Sequence, residues 1–454
     1  MIELQFYAGA VDMLLKLAAK VGNRKVMSHQ YEHLPMKSSN ELATSNSEVN
    51  TRKIQLYGLI FDVLIQVDLE ALRVTETNNQ LKISEFTEIR DNTYETCFSS
   101  NDKDFHYHFY QWFIDQGVKE RLLEINTPYI LPFLEERSHN DLGMSDLLWL
   151  NFAKKENYFE AANILYGLAL SQFDLKLPQR IEYLARANGF CNCVCPPNVR
   201  QKMIQLSVVV QELFDVGNVQ LDLLGTIEKD NRISKENKNM AVKALDNKIL
   251  TISELFNAYA DPLGYYDLCL IIFKTSDYKN TDDILKRWEL YFEKLYYQFQ
   301  VIQKNNQKKE PFYIILNKSL CTLGVQLSSN DLVFPIDELI RLVSKYNNQA
   351  AKEFPSSEQP PKGFLVDLFI ESGVTYDKLY YIMKSLIEHN TFEIYEGFTK
   401  NIESNEMVYL IQKWYSEDKK LRDFVDSENI RNLKTYTLDN DPISNYVKNN
   451  GIIL

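Results

Sequence analysis

The chain has few of the residues that interrupt helices, with 15 glycines and 13 prolines among 454 residues. Because both are frequent in turns, their scarcity favours long helices over a loop-rich β fold. The six cysteines lack the paired spacing of a disulfide framework, which predicts reduced thiols. Hydrophobic residues make up 45% of the chain. That content suffices for a packed interior and excludes wholesale disorder.

Long apolar runs are also missing. The longest, around 268–273, has the length of a buried helix, whereas a membrane-spanning helix needs about 20 apolar residues. The N-terminus lacks the basic-then-apolar pattern of a signal peptide. It enters a helical pattern almost at once and without a preceding cap, which is typical of a fragment of a longer protein. We expect a soluble intracellular chain.

The chain has an excess of acidic over basic residues, with a net charge of −12. This argues against a general nucleic-acid-binding surface, because phosphate contacts need clustered Lys and Arg. A local basic cluster such as Lys304–Lys309 leaves nucleic-acid binding open as an alternative. The nucleotide-binding patterns G-x-G-x-x-G and G-x-x-x-x-G-K-[ST] and the nucleophile pattern G-x-S-x-G do not occur. We predict no catalytic residue, no cofactor and no small-molecule substrate.

Apolar residues recur at helical spacing through most of the chain. The block 142–224 contains several short helical patterns separated by polar or Pro/Gly positions. A longer helix is predicted from Thr281, with the stripe Ile284, Trp288, Tyr291, Leu295, Phe299 and Ile302. Short helices in series without strand patterns predict an all-α fold, an irregular elongated α-solenoid of stacked helical pairs. It is irregular because no strict repeat period is visible.

Polar segments divide the chain into parts. We predict an N-terminal part of the solenoid, a set of middle helices and a C-terminal part, at 1–225, 226–310 and 311–454. A mobile loop is expected at about 36–52 and a flexible loop at about 352–362. At 229–243 charges outnumber apolar residues, which indicates either a joint or a solvated helix.

Two histidine and cysteine patterns resemble metal sites. His29 and His33 fit the H-x-x-E-H pattern of a zinc peptidase family, but the segment is loop-like and no third ligand can be nominated. Cys191, Cys193 and Cys195 could form a soft-metal cluster, yet structural zinc sites usually combine two C-x-x-C pairs. We therefore predict no metal site and interpret the cysteines as small, partly buried thiols before a helix.

Two further clusters have ordinary interpretations. His106 and His108 are two residues apart, so on a helix they point in different directions and pack among aromatic side chains. Asp439 and Asp441 lie close in sequence, but the glycine and distal glutamate of a calcium loop are missing. We interpret 438–442 as a solvated turn.

Aromatic residues are abundant, with 27 Tyr and 25 Phe. Tyr is enriched at binding hot spots because its ring is apolar while its hydroxyl tolerates water. The predicted helix 375–389 presents one such face, for which we predict partner binding by Tyr376, Leu379, Tyr380 and Met383. Core packing against the next helix is the alternative.

Four segments, in order across nearly the whole chain, carry a resemblance to a known family. They are FYAGAVDMLLKLA from Phe6, FHYHFYQWFIDQG from Phe105, the block 142–224, and VFPIDELIRLV with GFLVDLFIESGVTYDKLYYIMKSLIEHN from Val333 onward. They resemble the C-terminal half of the large inner-ring scaffold nucleoporins of the non-repetitive, wheat-germ-agglutinin-negative type.

This resemblance implies a structural scaffold of the inner ring of the nuclear pore complex, at the nuclear envelope, that supports nucleocytoplasmic transport. Such relatives carry an N-terminal β-propeller, so this chain would cover only the solenoid, without direct membrane contact. The implied partners are disordered linker nucleoporins, whose short segments insert into grooves, and other inner-ring scaffold nucleoporins. The residues alone also fit a coat- or adaptor-type α-solenoid in vesicle traffic.

Overall fold

The computed structural model describes residues 6–29, 39–76, 80–304, 310–355, 358–388, 405–428, 430 and 432–449, with the backbone alone at 22–29 and 39–48. Within these ranges every regular element is helical, and the β pairing is limited to an isolated bridge between Thr437 and Asn440. The all-α prediction is confirmed. None of the helices in these ranges is long and apolar enough to cross a lipid bilayer.

The helices follow one another with short connections. In chain order they are α1 Tyr7–His29, α2 Ser39–Glu76, α3 Gln80–Phe98, α4 Lys103–Asp115, α5 Ile130–Ser138, α6 Leu142–Lys154, α7 Tyr158–Leu170, α8 Leu177–Cys191, α9 Arg200–Lys229, α10 Lys235–Asn247, α11 Ile252–Glu254, α12 Tyr266–Thr275, α13 Thr281–Lys304, α14 Phe312–Leu327, α15 Ile336–Glu353, α16 Phe364–Glu371, α17 Tyr376–Glu388, α18 Met407–Glu417, α19 Lys419–Ser427 and α20 Ser444–Asn449. A 3₁₀ turn at Lys119–Glu124 precedes α5, and a π turn at Leu255–Ala260 follows α11.

The chain forms two compact units. The first comprises Met1–Phe173 and Tyr183–Val210, and the second comprises Asp174–Glu182 and Gln211–Leu454. The three parts predicted from the sequence stay a prediction about its organisation.

The core of the first unit is built around α4. Phe105, Phe109 and Phe113 recur every four residues, so they lie on one face of this helix, and all three are buried. The Asp102 carboxylate accepts hydrogen bonds from the backbone N–H groups of Asp104 and Phe105 and so caps the start of α4. A short polar cap followed by an aromatic stripe thus fixes this helix against α2.

The second unit stacks helical pairs. Neighbours such as α12 and α13 are in contact, and so are alternate helices, α13 with α15, α14 with α16 and α15 with α17. Each pair therefore covers the apolar face of the next, which confirms the solenoid prediction. The predicted stripe of α13 faces this interior, where Trp288 is fully buried and donates from Nε1 to the Val333 carbonyl at 2.8 Å.

Three predicted connections have different outcomes. The loop predicted at 36–52 is wrong from Ser39 onward, because α2 begins there; this stretch is polar but contains no Gly or Pro to stop the helix. At 229–243 the structure has a short connection and then α10, capped by the Ser234 hydroxyl, in agreement with a solvated helix. Of the flexible loop predicted at 352–362, Lys352 and Glu353 still belong to α15, whereas the described residues between α15 and α16 are non-helical; its flexibility stays a prediction.

Candidate partner-binding groove

A groove with a volume of about 990 Å³ lies in the second unit. Its walls come from the last turns of α9, the start of α12, and one face each of α13 and α14. Lys318, Thr322 and Gln326 line it from α14, and Lys294 and Gln298 from α13. Side chains four residues apart share one face of a helix. Polar side chains on one face of α13 and one face of α14 therefore line the groove beside residues of the core.

One end of the groove holds a closed ion pair. The Asp230 carboxylate accepts hydrogen bonds from Arg232 Nη2 at 2.7 Å and Nε at 3.1 Å, and from the Tyr265 hydroxyl at 2.7 Å. The Arg232 guanidinium, followed by the Tyr265 hydroxyl, holds the pKa of Asp230 well below its usual range. Burial raises the pKa of Tyr265 to about 12, and the hydrogen bond to the Asp230 carboxylate adds to this rise. These three groups balance one another and leave little charge for a partner.

Lys294 is in a different situation. Its ammonium donates a hydrogen bond to the Gly264 carbonyl at 2.9 Å and lies 5.8 Å from the centre of the Tyr265 ring. Gly264 adopts a left-handed φ of 69°, which glycine tolerates at no steric cost. The side chain is half-buried, and burial lowers its pKa. Among the described residues Lys294 forms no direct ion pair, although the nearby carboxylates of Asp267 and Asp230 favour its charged form.

Apolar and aromatic side chains also line the groove. Leu268 and Leu323 are buried at its floor, and Ile271 is half-buried beside them. Tyr297 stands at the rim with 67% of its surface exposed. Asp222 is exposed on the α9 wall, and partial desolvation of its carboxylate raises its pKa. An apolar floor beside an unpaired ammonium and an exposed tyrosine suits an extended segment with both apolar and charged side chains.

The four residues predicted to bind a partner lie elsewhere, on α17. Leu379, Tyr380 and Met383 are buried to 1% exposure or less. Tyr376 is half-buried, donates from its hydroxyl to Glu417 at 2.6 Å and stacks on Trp414. The structure thus shows their packing role between α17 and α18. Partner binding through them stays a prediction, and only Tyr376 is accessible without displacing α17.

Sequence reasoning missed the groove, although one signal for it was available. Tyr297 follows Tyr296 and falls off the apolar stripe of α13, so it occupies the polar face of a strongly amphipathic helix. A large aromatic residue on such a face is a candidate contact residue. The other walls come from helices far apart in sequence, and no local pattern indicates that they meet.

The histidine prediction is confirmed. His106 is buried among Phe105, Tyr110 and Tyr129, donates from Nε2 to the Ser100 carbonyl at 2.8 Å and accepts at Nδ1 from the Tyr110 hydroxyl at 3.1 Å. Burial lowers its pKa, which favours a neutral ring. His108 lies 5.6 Å from the Tyr57 ring.

The cysteines and the remaining histidine pattern give no metal centre in the described ranges. Cys191, Cys193 and Cys195 are half-buried free thiols, and burial raises the pKa of Cys191 to about 11. No group of three or more His, Cys, Asp or Glu side chains in those ranges is placed to hold a metal ion. The side chains of His29 and His33 lie outside the described residues.

The solvated-turn interpretation of 438–442 is wrong for Asp441. Its carboxylate is 6% exposed, forms an ion pair with Lys384 at 2.7 Å and accepts a hydrogen bond from the Tyr380 hydroxyl. The partners lie about sixty residues earlier in the chain, on α17, so the local sequence gave no sign of them. Asp441 therefore fixes the end of the chain to α17.

Stacked helices that leave furrows open on their surface define a class, the α-solenoid interaction proteins. The sequence matches the family described as non-repetitive/WGA-negative nucleoporin C-terminal over residues 1–449. The chain belongs to this family, and the resemblance deduced from the four segments is confirmed. Membership places it among the proteins of the nuclear pore complex.

Individual relatives agree with this assignment. The chain is 36% identical to nucleoporin NUP170 of Saccharomyces cerevisiae over 458 residues, which cover 99% of this chain and 29% of that protein. It is 27% identical to nucleoporin NUP170 of Chaetomium thermophilum, covering 85% of this chain and 28% of the relative. The chain thus spans less than a third of the length of these relatives.

Solved structures share its fold. The crystal structure of the Chaetomium thermophilum Nup170 CTD–Nup145N complex matches with a TM-score of 0.76 at 24% identity, over 95% of this chain and 87% of that one. The Nup170 SOL structure from the same organism matches with a TM-score of 0.70, over 95% and 54% of the two chains.

Proposed function

We propose that this chain is a structural scaffold element of the inner ring of the nuclear pore complex, at the nuclear envelope. In this role it holds an extended segment of a disordered linker nucleoporin in the groove between α9, α12, α13 and α14, contacts other scaffold nucleoporins, and performs no catalysis. The scaffold supports nucleocytoplasmic transport by keeping its partners in place. Family membership and the stacked-helix fold support this role.

One observation carries the docking part of the proposal. A relative with the same fold, the Nup170 CTD of Chaetomium thermophilum, has been crystallised in a complex with Nup145N. In the present chain the groove supplies what such a complex needs, because it is open, has an apolar floor and carries an exposed aromatic residue, Tyr297. We assign the groove as the docking position on these grounds.

The alternative, a coat- or adaptor-type solenoid in vesicle traffic, has the same helical composition. Membership in a nucleoporin family does not favour it. The two roles differ in location. Fluorescently tagged protein at the nuclear rim supports the scaffold role, whereas tagged protein on vesicles supports the adaptor role.

Calorimetric titration with peptides tiled across linker nucleoporins, Nup145N first, tests the docking proposal. We expect saturable binding of one segment. Tyr297→Ala should weaken it about tenfold, because an exposed aromatic anchor contributes strongly to an interface. Met240→Ala is the matched control, since Met240 is 65% exposed on α10 and lies outside the groove. Docking in the groove would be contradicted if none of the peptides bound, or if the two variants had equal effects on binding.

A further inference from the structure

We infer that a second pocket of the second unit, separate from the groove, binds one aromatic residue of an extended peptide segment from a partner. The ring of that residue packs on an aromatic wall formed by Phe256, Phe273 and Tyr278. Its main chain bonds to two side chains of α13, because its carbonyl accepts from Arg287 and its N–H donates to Asp283. This pocket is a docking position in addition to the groove.

The pocket has a volume of about 350 Å³. Its lining comes from α11, the π turn that follows it, the end of α12 and the first turns of α13. Ile272 and Phe273 are buried at its floor, and Phe256 and Tyr278 are half-buried. Ligand pockets have volumes of about 300–1,000 Å³. This pocket is near the lower limit, so it has room for one large side chain rather than for a helix.

Three aromatic rings form one wall of the pocket. The Phe273 ring stacks on the Tyr278 ring with 4.6 Å between their centres, and it lies 5.2 Å from the Phe256 ring. Phe256 belongs to the π turn Leu255–Ala260, and π turns inside helices are frequent at functional sites. A further ring gains stacked or edge contacts with such a wall in addition to leaving water. The wall therefore favours an aromatic side chain over an aliphatic one.

Arg287 brings hydrogen-bond donors to the lining. Its Nε donates to the Asp261 carboxylate at 2.9 Å, and its guanidinium lies 5.7 Å from the centre of the Phe256 ring. The side chain is only 14% exposed. Its terminal nitrogens, Nη1 and Nη2, form no hydrogen bond with the part of the chain that the structure describes. Since these donors have lost much of their water without gaining a protein partner, they favour an incoming acceptor oxygen.

Asp283 brings an acceptor to the same lining. Its Oδ2 accepts hydrogen bonds from the Tyr278 hydroxyl at 2.6 Å and from Asn280 Nδ2 at 3.0 Å. Its Oδ1 accepts none from the described residues. Asp283 and Arg287 are four residues apart, so they share one face of α13. In an extended segment the N–H and C=O of one residue point to the same side. One residue can therefore bond to both side chains.

The charges favour a neutral ligand. Asp283 and Arg287 are the charged side chains of the lining, and Asp261 is the ion-pair partner of Arg287. One cation against two carboxylates leaves a net charge of −1. A ligand carboxylate would compete with Asp261 and be repelled by Asp283, whereas a main-chain carbonyl brings no charge. A buried peptide also needs partners for its N–H and C=O groups. The pocket therefore suits an uncharged peptide segment better than a small aromatic acid.

A backbone substitution in the peptide tests the inference on the unaltered protein. The probe is Ser-Ala-Phe-Ala-Ser, acetylated and amidated at its ends, with a para-fluorinated ring that is followed by fluorine NMR during titration with the full chain. In an ester analogue, phenyllactic acid replaces Phe, so the N–H that donates to Asp283 is missing. We expect the ester to bind about tenfold more weakly than the amide. A Leu analogue should displace the probe about tenfold less effectively.

Protein variants then locate the contacts. Asp283→Asn should reduce the difference between amide and ester to less than about twofold. Arg287→Lys keeps a positive charge beside Asp261 but lacks the terminal fork of N–H groups, so it should weaken the probe about tenfold. The matched control is Arg341→Lys on α15, because Arg341 also pairs with a carboxylate, that of Glu338, but lies outside the pocket.

The inference is overturned if the probe does not bind saturably up to about 10 mM, or if the ester binds as tightly as the amide. It is also overturned if free N-acetylphenylalanine displaces the probe more effectively than its N-methylamide. Loss of binding in Tyr297→Ala without an effect of Arg287→Lys would place the probe in the groove instead, which leaves the proposed function intact. The reverse result supports the second pocket, whether or not a linker peptide binds in the groove.

Discussion

At the scale of single residues, many tyrosines do more than fill space. Their rings pack between helices while their hydroxyls donate to a carboxylate on another segment, as in Tyr57 with Asp102 and Tyr94 with Asp68. Tyr265, Tyr376 and Tyr380 repeat this arrangement in the second unit. Such pairs satisfy polar atoms at the edge of an apolar interface. They account for part of the high tyrosine content without invoking partner contacts.

Glu406 is a buried carboxylate that forms no ion pair with the part of the chain that the structure describes. It is 4% exposed and accepts hydrogen bonds from the backbone N–H groups of Gly363 at 3.1 Å and Val366 at 3.4 Å, at the start of α16. Burial raises its pKa to about 7, and the N–H groups oppose that rise. Glu406 therefore caps α16 from a distant part of the sequence.

We predict a pH-dependent stability from Glu406. Because its pKa is raised on folding, its contribution to stability is complete below its ordinary value near 4.5 and declines as the pH rises towards 7. Relative to Glu406→Gln, the hydrogen-exchange protection of α16 amides should fall about tenfold between pH 6 and pH 8. Parallel pH profiles for the two proteins would contradict this assignment.

At the scale of helices, α14 and the end of α16 approach each other closely at Gly324. A Cβ atom added at Gly324 would lie 2.3 Å from the Ser372 Cβ and 2.9 Å from its Cα. The second contact is with backbone, which cannot rotate away. Glycine at position 324 is therefore required by the packing of two stacked helices.

We predict opposite effects of two Gly→Ala substitutions. Gly324→Ala should lower the free energy of unfolding by about 1–3 kcal/mol through overpacking. Gly225→Ala, in α9 of the same unit, should raise it by about 0.5–1 kcal/mol, because an added Cβ meets nothing within 4 Å and alanine favours the helix. Urea denaturation followed by circular dichroism measures both. A stable Gly324→Ala variant would show that α14 and α16 can separate at little cost.

At the scale of the whole molecule, the net charge of −12 sets an expectation for nucleic acids. We predict a dissociation constant weaker than about 100 µM for duplex DNA and single-stranded RNA at about 150 mM salt, because phosphate binding requires concentrated positive charge. A mobility-shift titration checks this. Tight, salt-sensitive binding that disappears when Lys304, Lys308 and Lys309 are replaced by Glu would revive the nucleic-acid alternative.

The sequence by itself determined the fold class, the apolar stripe of α13 and the family. The first two follow from the local periodicity of apolar residues, and the family follows from sequence segments spread along the chain. Neither requires knowledge of how the helices pack against one another. Even the wrong loop at 36–52 has a local explanation, since polar residues without Gly or Pro permit a helix as readily as a turn.

Only the tertiary structure decided which side chains face solvent. On α13 it buries Tyr296 and exposes its neighbour Tyr297, and on α17 it buries Tyr380 instead of offering it to a partner. It also brings Asp441 to Lys384 and joins α9 to α14 around the groove. Exposure depends on which faces of distant helices meet, and in an irregular solenoid that geometry is set by packing between helices rather than by any pattern within one of them.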